Sequence, residues 1–212
     1  MPTKKQATKP SRQAAYTARN RANLIASAQT VLAEIGPDAT IEQVAEIAQV
    51  SPTTIYKYFP NKELLFSEAL SQIWSAWVDW AYAGRSPGES LESAMNVARM
   101  LFWVKQTHPL FAKILHNTLS NPDFIIKAVS GPARIAFKKL ADKGEISKDN
   151  FEVRIMLYGY ELAGILTAVH VSETMSPTQA EQALAISLRV FEVSEARAKK
   201  IISSKLDFAP TK

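Results

Sequence analysis

Between Thr40 and Lys62 the chain reads TIEQVAEIAQVSPTTIYKYFPNK, and the second half of that run is dense in groups that recognise polyanions. Ser51, Thr53 and Thr54 supply hydroxyls that donate or accept at base edges, and a threonine methyl can touch the thymine methyl. Lys57 can reach guanine O6/N7 or a phosphate. Tyr56 and Tyr58 can hydrogen-bond phosphate oxygens through their phenols. Backbone N–H groups at helix starts near Thr40, Ser51 and Asn61 offer further anion sites, with Lys62 adding charge at the last of them.

Such groups work only if a scaffold holds them on one face. Thr40 is a good N-cap, and Ile41, Val44, Ala45 and Ala48 form the apolar face of a short helix behind it. Ser51-Pro52 is a second start signal, with proline at the first helical position. Ala45 is small where two helices would cross, Val50 plugs the turn, and Ile55 and Phe59 anchor the second helix. The Thr53, Thr54 and Lys57 side stays free, as a major-groove helix requires. The pattern is a helix-turn-helix.

Apolar residues recur with a 3.6-residue period almost throughout, so the expected fold class is all-α with about nine helices. The first carries Leu24, Ile25, Ala28, Val31, Leu32 and Ile35 on one face and stops at Gly36-Pro37. A long fourth helix, capped by Asn61, runs to about residue 83. Further helices are expected near 89–106, 109–119, 123–142 with a kink at Gly131-Pro132, 149–173 and 177–205. Residues 1–15 read as a disordered basic arm, 16–62 as the DNA-binding unit and 63–212 as a larger helical domain.

Charge supports that division. Residues 1–62 carry 8 basic and 4 acidic side chains, and the first 21 residues carry no acid at all. The positive field therefore lies beside the helix-turn-helix. The chain has 212 residues and no cysteine, which excludes disulfides and thiolate metal sites. Its apolar runs fall short of a membrane span, and no secretory signal opens it, so the expected compartment is the cytoplasm. His108, His116 and His170 lack metal-site spacing, and no nucleophile elbow, phosphate loop or carboxylate pair is found. No enzyme activity, metal or cofactor is expected.

Residues 21–66 resemble the DNA-binding domain of the TetR family of transcriptional regulators. The resemblance rests on LIASAQTVLAEIG, TIEQVAEIA, VS and TIYKYFPNKELL at the family's spacing. It implies contacts to double-stranded DNA from Thr40, Ser51, Thr53, Thr54, Tyr56, Lys57, Tyr58 and Lys62, and an approach of the arm before Arg21 to the backbone or minor groove. Gln49 departs from the pattern, standing where the family usually has glycine. A left-handed conformation there costs a non-glycine residue about 1 kcal/mol.

The later helices carry two further expectations. Helix 149–173 is apolar nearly all round, and 177–205 bears the stripes Leu184-Leu188-Phe191 and Ile186-Val190-Val193. A helix of that kind is covered on two sides. A homodimer through a four-helix interface is therefore expected, with Ile155, Leu162, Leu166, Val169, Ile186, Val190 and Val193 in it. All four tryptophans fall between 74 and 103, within a dense aromatic set. An effector cavity is expected there, lined by Trp77, Met95, Arg99, Phe102, Trp103, Phe111 and Tyr160 and suited to a mostly apolar or aromatic small molecule. An inward Arg99 would suit an anionic or carbonyl-bearing one. The expected function is a repressor released from a palindromic operator by its ligand. The rivals are a DNA-binding protein without an effector, and a ligand-binding module with a degenerate helix-turn-helix.

Overall fold

The computed structural model describes residues 11–82, 89–119 and 133–206. Among them the regular structure is helical, with no strand. The order is α1 (Arg12–Glu34), a 3-10 turn (Gly36–Asp38), α2 (Ile41–Ala48), α3 (Pro52–Tyr56), α4 (Lys62–Tyr82), α5 (Leu91–Leu101), α6 (Val104–Thr107), α7 (Pro109–Thr118), α8 (133–142), α9 (Phe151–His170), α10 (Pro177–Ser187), a second 3-10 turn (Leu188–Phe191) and α11 (Glu195–Ser203). The basic residues Lys4, Lys5 and Lys9, the Gly84 and Pro87-Gly88 stops and the Gly131-Pro132 kink lie outside the described residues.

The helix starts follow local chemistry. Thr40 and Gln43 form a reciprocal capping box, with Thr40 Oγ1 accepting from Gln43 N–H at 3.3 Å and Gln43 Oε1 from Thr40 N–H at 2.9 Å. Ser51 caps α3 ahead of Pro52, and Asn61 Oδ1 accepts from Leu64 N–H at 2.9 Å. Ser176 and Gln179 repeat the capping box at α10. Helix α1 begins at Arg12 with Ser11 as its cap, so the first described residues of the expected arm are already helical.

Two expected helices are divided. The 89–106 segment breaks at Phe102-Trp103, whose N–H groups bond back three residues to Arg99 and Met100. The reason is distant in sequence: Leu101 O pairs with His170 Nε2 at 2.9 Å, in place of a helical N–H. The 177–205 segment breaks after Phe191, because Arg154 takes Val190 O and Ser147 N–H takes Phe191 O at 3.1 Å. Glu192 then turns left-handed, with φ 62°, and Ser194 caps α11.

The buried apolar residues form two clusters. One joins α1, α2, α3 and the first half of α4 through Leu24, Val31, Val44, Ile55, Phe59 and Leu65. The larger joins the second half of α4 to α5 and the later helices through Trp77, Met95, Phe102, Phe137, Tyr158 and Leu166. Helix α4 belongs to both. So does the reach of α7: Ile114 sits in the first cluster, and Asn117 Nδ2 donates to Leu32 O and Ala33 O at 3.2 and 3.0 Å, satisfying carbonyls at the end of α1. A Cβ on Gly36, which has φ 78°, would lie 2.9 Å from Asn117 Cβ, so glycine permits this close approach.

Gln49 has φ 56° and ψ 43°, the left-handed turn conformation. Gln49→Gly should therefore raise stability by about 0.5–1 kcal/mol, the relieved strain being partly offset by glycine's entropy. In urea melts this reads as a higher midpoint at unchanged slope; an unchanged midpoint would mean the turn carries no strain.

His170, which sequence spacing ruled out as a metal ligand, is fully buried. One ring nitrogen bonds Leu101 O and Nδ1 has no partner, while its carbonyl accepts from His116 Nδ1 at 2.6 Å. Burial pushes its pKa below the ordinary value, with the Leu101 bond opposing. The unfolded chain takes up that proton near pH 6.5 and the folded chain only at lower pH. Its contribution to stability is thus fully present above pH ~6.5 and declines as pH falls below it. His170→Gln should flatten the loss of urea stability between about pH 7.5 and 5.5; half-buried His108, shifted the same way, keeps part of the slope.

Candidate nucleic-acid interface and cavity

Helix α3 is held by two buried side chains, Ile55 and Phe59, and by Arg21 of α1, whose guanidinium lies 4.6 Å from the centre of the Phe59 ring. Arg21 also makes a two-pronged ion pair with Glu68 of α4. That pairing holds the Glu68 carboxyl below the usual carboxylate range. The scaffold beneath the recognition helix is therefore stapled on both sides. Composition gave no sign of this pair, although a buried-side arginine and an acid 47 residues apart were both visible.

The eight expected contact residues divide by what else they do. Thr53, Tyr56 and Lys57 are exposed, and their side chains make no hydrogen bond among the described residues. Ser51 and Thr54 share a hydroxyl pair at 3.0 Å, which orients both at the front of α3. Three are already engaged. Thr40 is spent on the capping box. Tyr58 Oη accepts from Asn20 Nδ2 at 3.0 Å and is half-buried. Lys62 Nζ is 3.5 Å from Pro37 O and stacks over Phe66. Tyr58 and Lys62 are placed as struts, with their polar ends near the same face.

Behind this unit lies an aromatic cavity. Trp74, Trp77 and Val78 of α4 form one wall, Ala94 and Ala98 of α5 the next, and Phe137 and Tyr158 of α8 and α9 close it with Tyr82. About 50 Å³ is open to the centre of a water-sized sphere. Trp77 stacks on Phe111 of α7 at 5.4 Å, and Trp74 meets the same ring edge-on at 5.4 Å. Burial pushes the Tyr158 and Tyr82 phenols up, so both stay protonated.

Of the seven side chains expected around a ligand, only Trp77 lines this cavity. Phe111 backs it from behind Trp77. Met95 and Phe102 pack in the core without reaching it. Arg99 does turn inward, but its guanidinium serves α10 and the end of α11: Nη2 meets Glu181 Oε2 at 3.2 Å and Ser204 O at 3.0 Å, and Nη1 meets Ser204 Oγ at 3.2 Å. Trp103 donates from Nε1 to the same Glu181 at 3.3 Å. Tyr160 is on the outside. Of the lining residues missed from sequence, Trp74 and Tyr82 belonged to the same aromatic run and Tyr158 to helix 149–173, expected at a dimer interface; helical spacing from Trp77 picks out Trp74 and Trp80 equally.

Residues 24–69 match the family model described as bacterial regulatory proteins, tetR family. That stretch is similar to the tetR family of bacterial regulatory proteins. Across 104 residues it is 32% identical to the HTH-type transcriptional regulator RutR of Escherichia coli K12, a stretch covering 49% of each chain. The chain thus spans about half the length of the curated relatives it matches. Among solved structures it is similar to RolR in complex with the ligand resorcinol, with a TM-score of 0.70 and 19% identity over 93% of this chain and 100% of that one. RolR without ligand aligns over 89% and 100% at a TM-score of 0.65 and 20% identity. A TetR-family regulator from Streptomyces coelicolor A3 aligns over 89% and 100% at 0.58 and 15%. At these identities the likeness is one of fold.

Outside the matched residues, α9 shows a face that the other described residues do not cover. Ile155, Leu162, Leu166 and Val169, expected at a partner, point into the chain's own core, as does Val193 after α10. The opposite stripe of α9 is the exposed one: Val153, Met156, Leu157 and Tyr160, continuing to Gly164, which has open space around it. Ile186 of α10 is 70% exposed, and Val190 is half-buried. Helices α9 and α10 pack against each other. The register shift has a plain cause, since a helix apolar on all sides offers the core a choice of faces. No described helix is long and apolar enough to cross a membrane.

Proposed function

We propose that this chain is a ligand-responsive transcriptional regulator that binds a palindromic operator as a homodimer, as a repressor working in the cytoplasm and not as an enzyme. One observation carries the reading: α3 presents Thr53, Tyr56 and Lys57 to solvent while Ile55 beneath it is fully buried. That is the division a major-groove helix needs. Ser51, Thr54, Tyr58, Lys62 and the Thr40 helix start surround it as phosphate contacts. The domain boundary is proposed within α4, whose first half packs under the helix-turn-helix and whose second half walls the cavity.

One short helix reads few bases, so two half-sites about 34 Å apart must add their energies. The bare α9 and α10 stripe supplies the dimer contact, with Met156, Leu157, Tyr160 and Ile186 at its centre. RolR, which shares the fold, is known with resorcinol bound; the aromatic and apolar lining of the cavity here suits a small aromatic or apolar effector as well. A ligand seated against Trp74 and Trp77 favours one placement of α4 and so one spacing of the two recognition helices. A DNA-binding protein without an effector has no need of a cavity at the end of that helix.

The test is sequence selection with the purified protein, followed by duplex titrations at several salt concentrations. Binding should retain sequence preference while falling steeply with salt. Thr53→Ala should cost about 1–2 kcal/mol at one base position, and Lys57→Ala should weaken all duplexes or one guanine position by a similar amount. Duplex binding indifferent to both substitutions would remove α3 as the reading element.

A further inference from the structure

Trp74 and Trp77 are 8% and 2% exposed, and neither indole N–H has a hydrogen-bond acceptor among the described residues. Both rings line the cavity. A buried donor left without a partner is costly, and natural interiors rarely tolerate two side by side. None of the described lining side chains carries a charge, and an unpaired charge brought into such surroundings would be strongly disfavoured. The open space, about 50 Å³, is a few times the ~10–15 Å³ that admits one water and about a third of the ~150 Å³ that holds benzene, so a single ring enters only as the walls part and anything larger is excluded.

We propose that the effector is an uncharged molecule of one aromatic ring bearing an oxygen acceptor, its oxygen taking the indole N–H groups of Trp74 and Trp77. The inference rests on the ligand-responsive reading above and narrows it to a chemical class. The phenols of Tyr82 and Tyr158, kept protonated by burial, leave the cavity neutral and able to meet a second polar atom of the ligand. Arg99, which turns inward beside the aromatic core, is held by Glu181 and Ser204 and is not a partner for an anion.

Acetophenone, benzoate and cumene share one shape and differ only in acceptor and charge. Calorimetric titration of the full chain with each separates the possibilities. Acetophenone should bind at least about tenfold more tightly than cumene, which lacks the acceptor, and than benzoate, which is charged. The two-ring ketone 2-acetylnaphthalene should bind more weakly than acetophenone. The variant carrying Trp74→Phe and Trp77→Phe should lose the acetophenone preference and keep its cumene affinity. Benzoate or cumene binding as tightly as acetophenone, binding by none of them, or a preference that survives the double substitution would overturn the assignment. Release of operator DNA is scored separately. A charged or long-chain compound that releases DNA sinks the ligand class and leaves the regulator standing. A chain without sequence-preferring duplex binding sinks the regulator and leaves the calorimetry to stand on its own.

Discussion

Leu157→Arg should give a folded monomer that binds operator DNA at least about a hundredfold more weakly than the parent chain. Leu157 is 45% exposed and makes no part of either core cluster, so the substitution costs its own protomer little. At a twofold interface the same residue occurs on both partners, and two guanidinium groups would be brought together in an apolar contact. Burying unpaired charge there costs far more than an interface of ordinary size recovers. Operator binding then loses one half-site. Light scattering gives the mass and a helical circular dichroism spectrum gives the fold. A variant that remains dimeric would move the interface elsewhere, and a monomer of undiminished affinity would remove the need for a dimer. The same substitution at Leu162, which is buried beneath the stripe, should instead unfold the protomer.

Arg99→Met is expected to cost about 3–5 kcal/mol of stability, because it strands Glu181 and uncaps the end of α11. Arg99 is 3% exposed and its guanidinium reaches Asn96, Glu181, Ile201 O and Ser204, so one side chain ties α5 to α10 and α11. Glu181 is also bonded by Trp103 and is largely covered. Removing both charges together should be gentler: Arg99→Met with Glu181→Leu is expected to regain part of the loss, since an apolar pair leaves no buried ion. Urea denaturation of the two variants measures the difference. An additive cycle would mean that the guanidinium's bonds to the carbonyls, and not the ion pair, carry the energy.

Local chemistry made the recognition unit readable. Thr40, Ser51, Pro52 and Asn61 mark their helices by hydrogen bonds that close within a few residues, and Gln49 advertised its left-handed turn by standing in a place that favours glycine. Arg99 was harder, because its partners lie 82 to 105 residues away and only the folded chain brings them near. The breaks before α6 and before α11 share that cause, His170 and Arg154 capturing carbonyls from another helix. The outward face of α9 was hidden for a different reason. Where every side of a helix is apolar, periodicity carries no orientation, and only the fit of Ile155 and Leu166 into the protomer decides it. The cavity falls between these cases: its aromatic character was written in the sequence, its wall was not.

The tryptophans have one last consequence. None precedes residue 74, two form the cavity wall, and the indole N–H groups of Trp74, Trp77 and Trp80 are buried without acceptors among the described residues. Tryptophan emission therefore comes wholly from the half of the molecule that holds the cavity; the helix-turn-helix, whose Tyr56 and Tyr58 emit at shorter wavelength, contributes none of it. A ligand oxygen arriving at those indoles should change the emission directly. DNA, bound far from every tryptophan, can change it only through α4 or through the Asn117 contact between α7 and α1. Any shift of emission on adding operator is thus a readout of the mechanical connection between the two halves, obtained without a label.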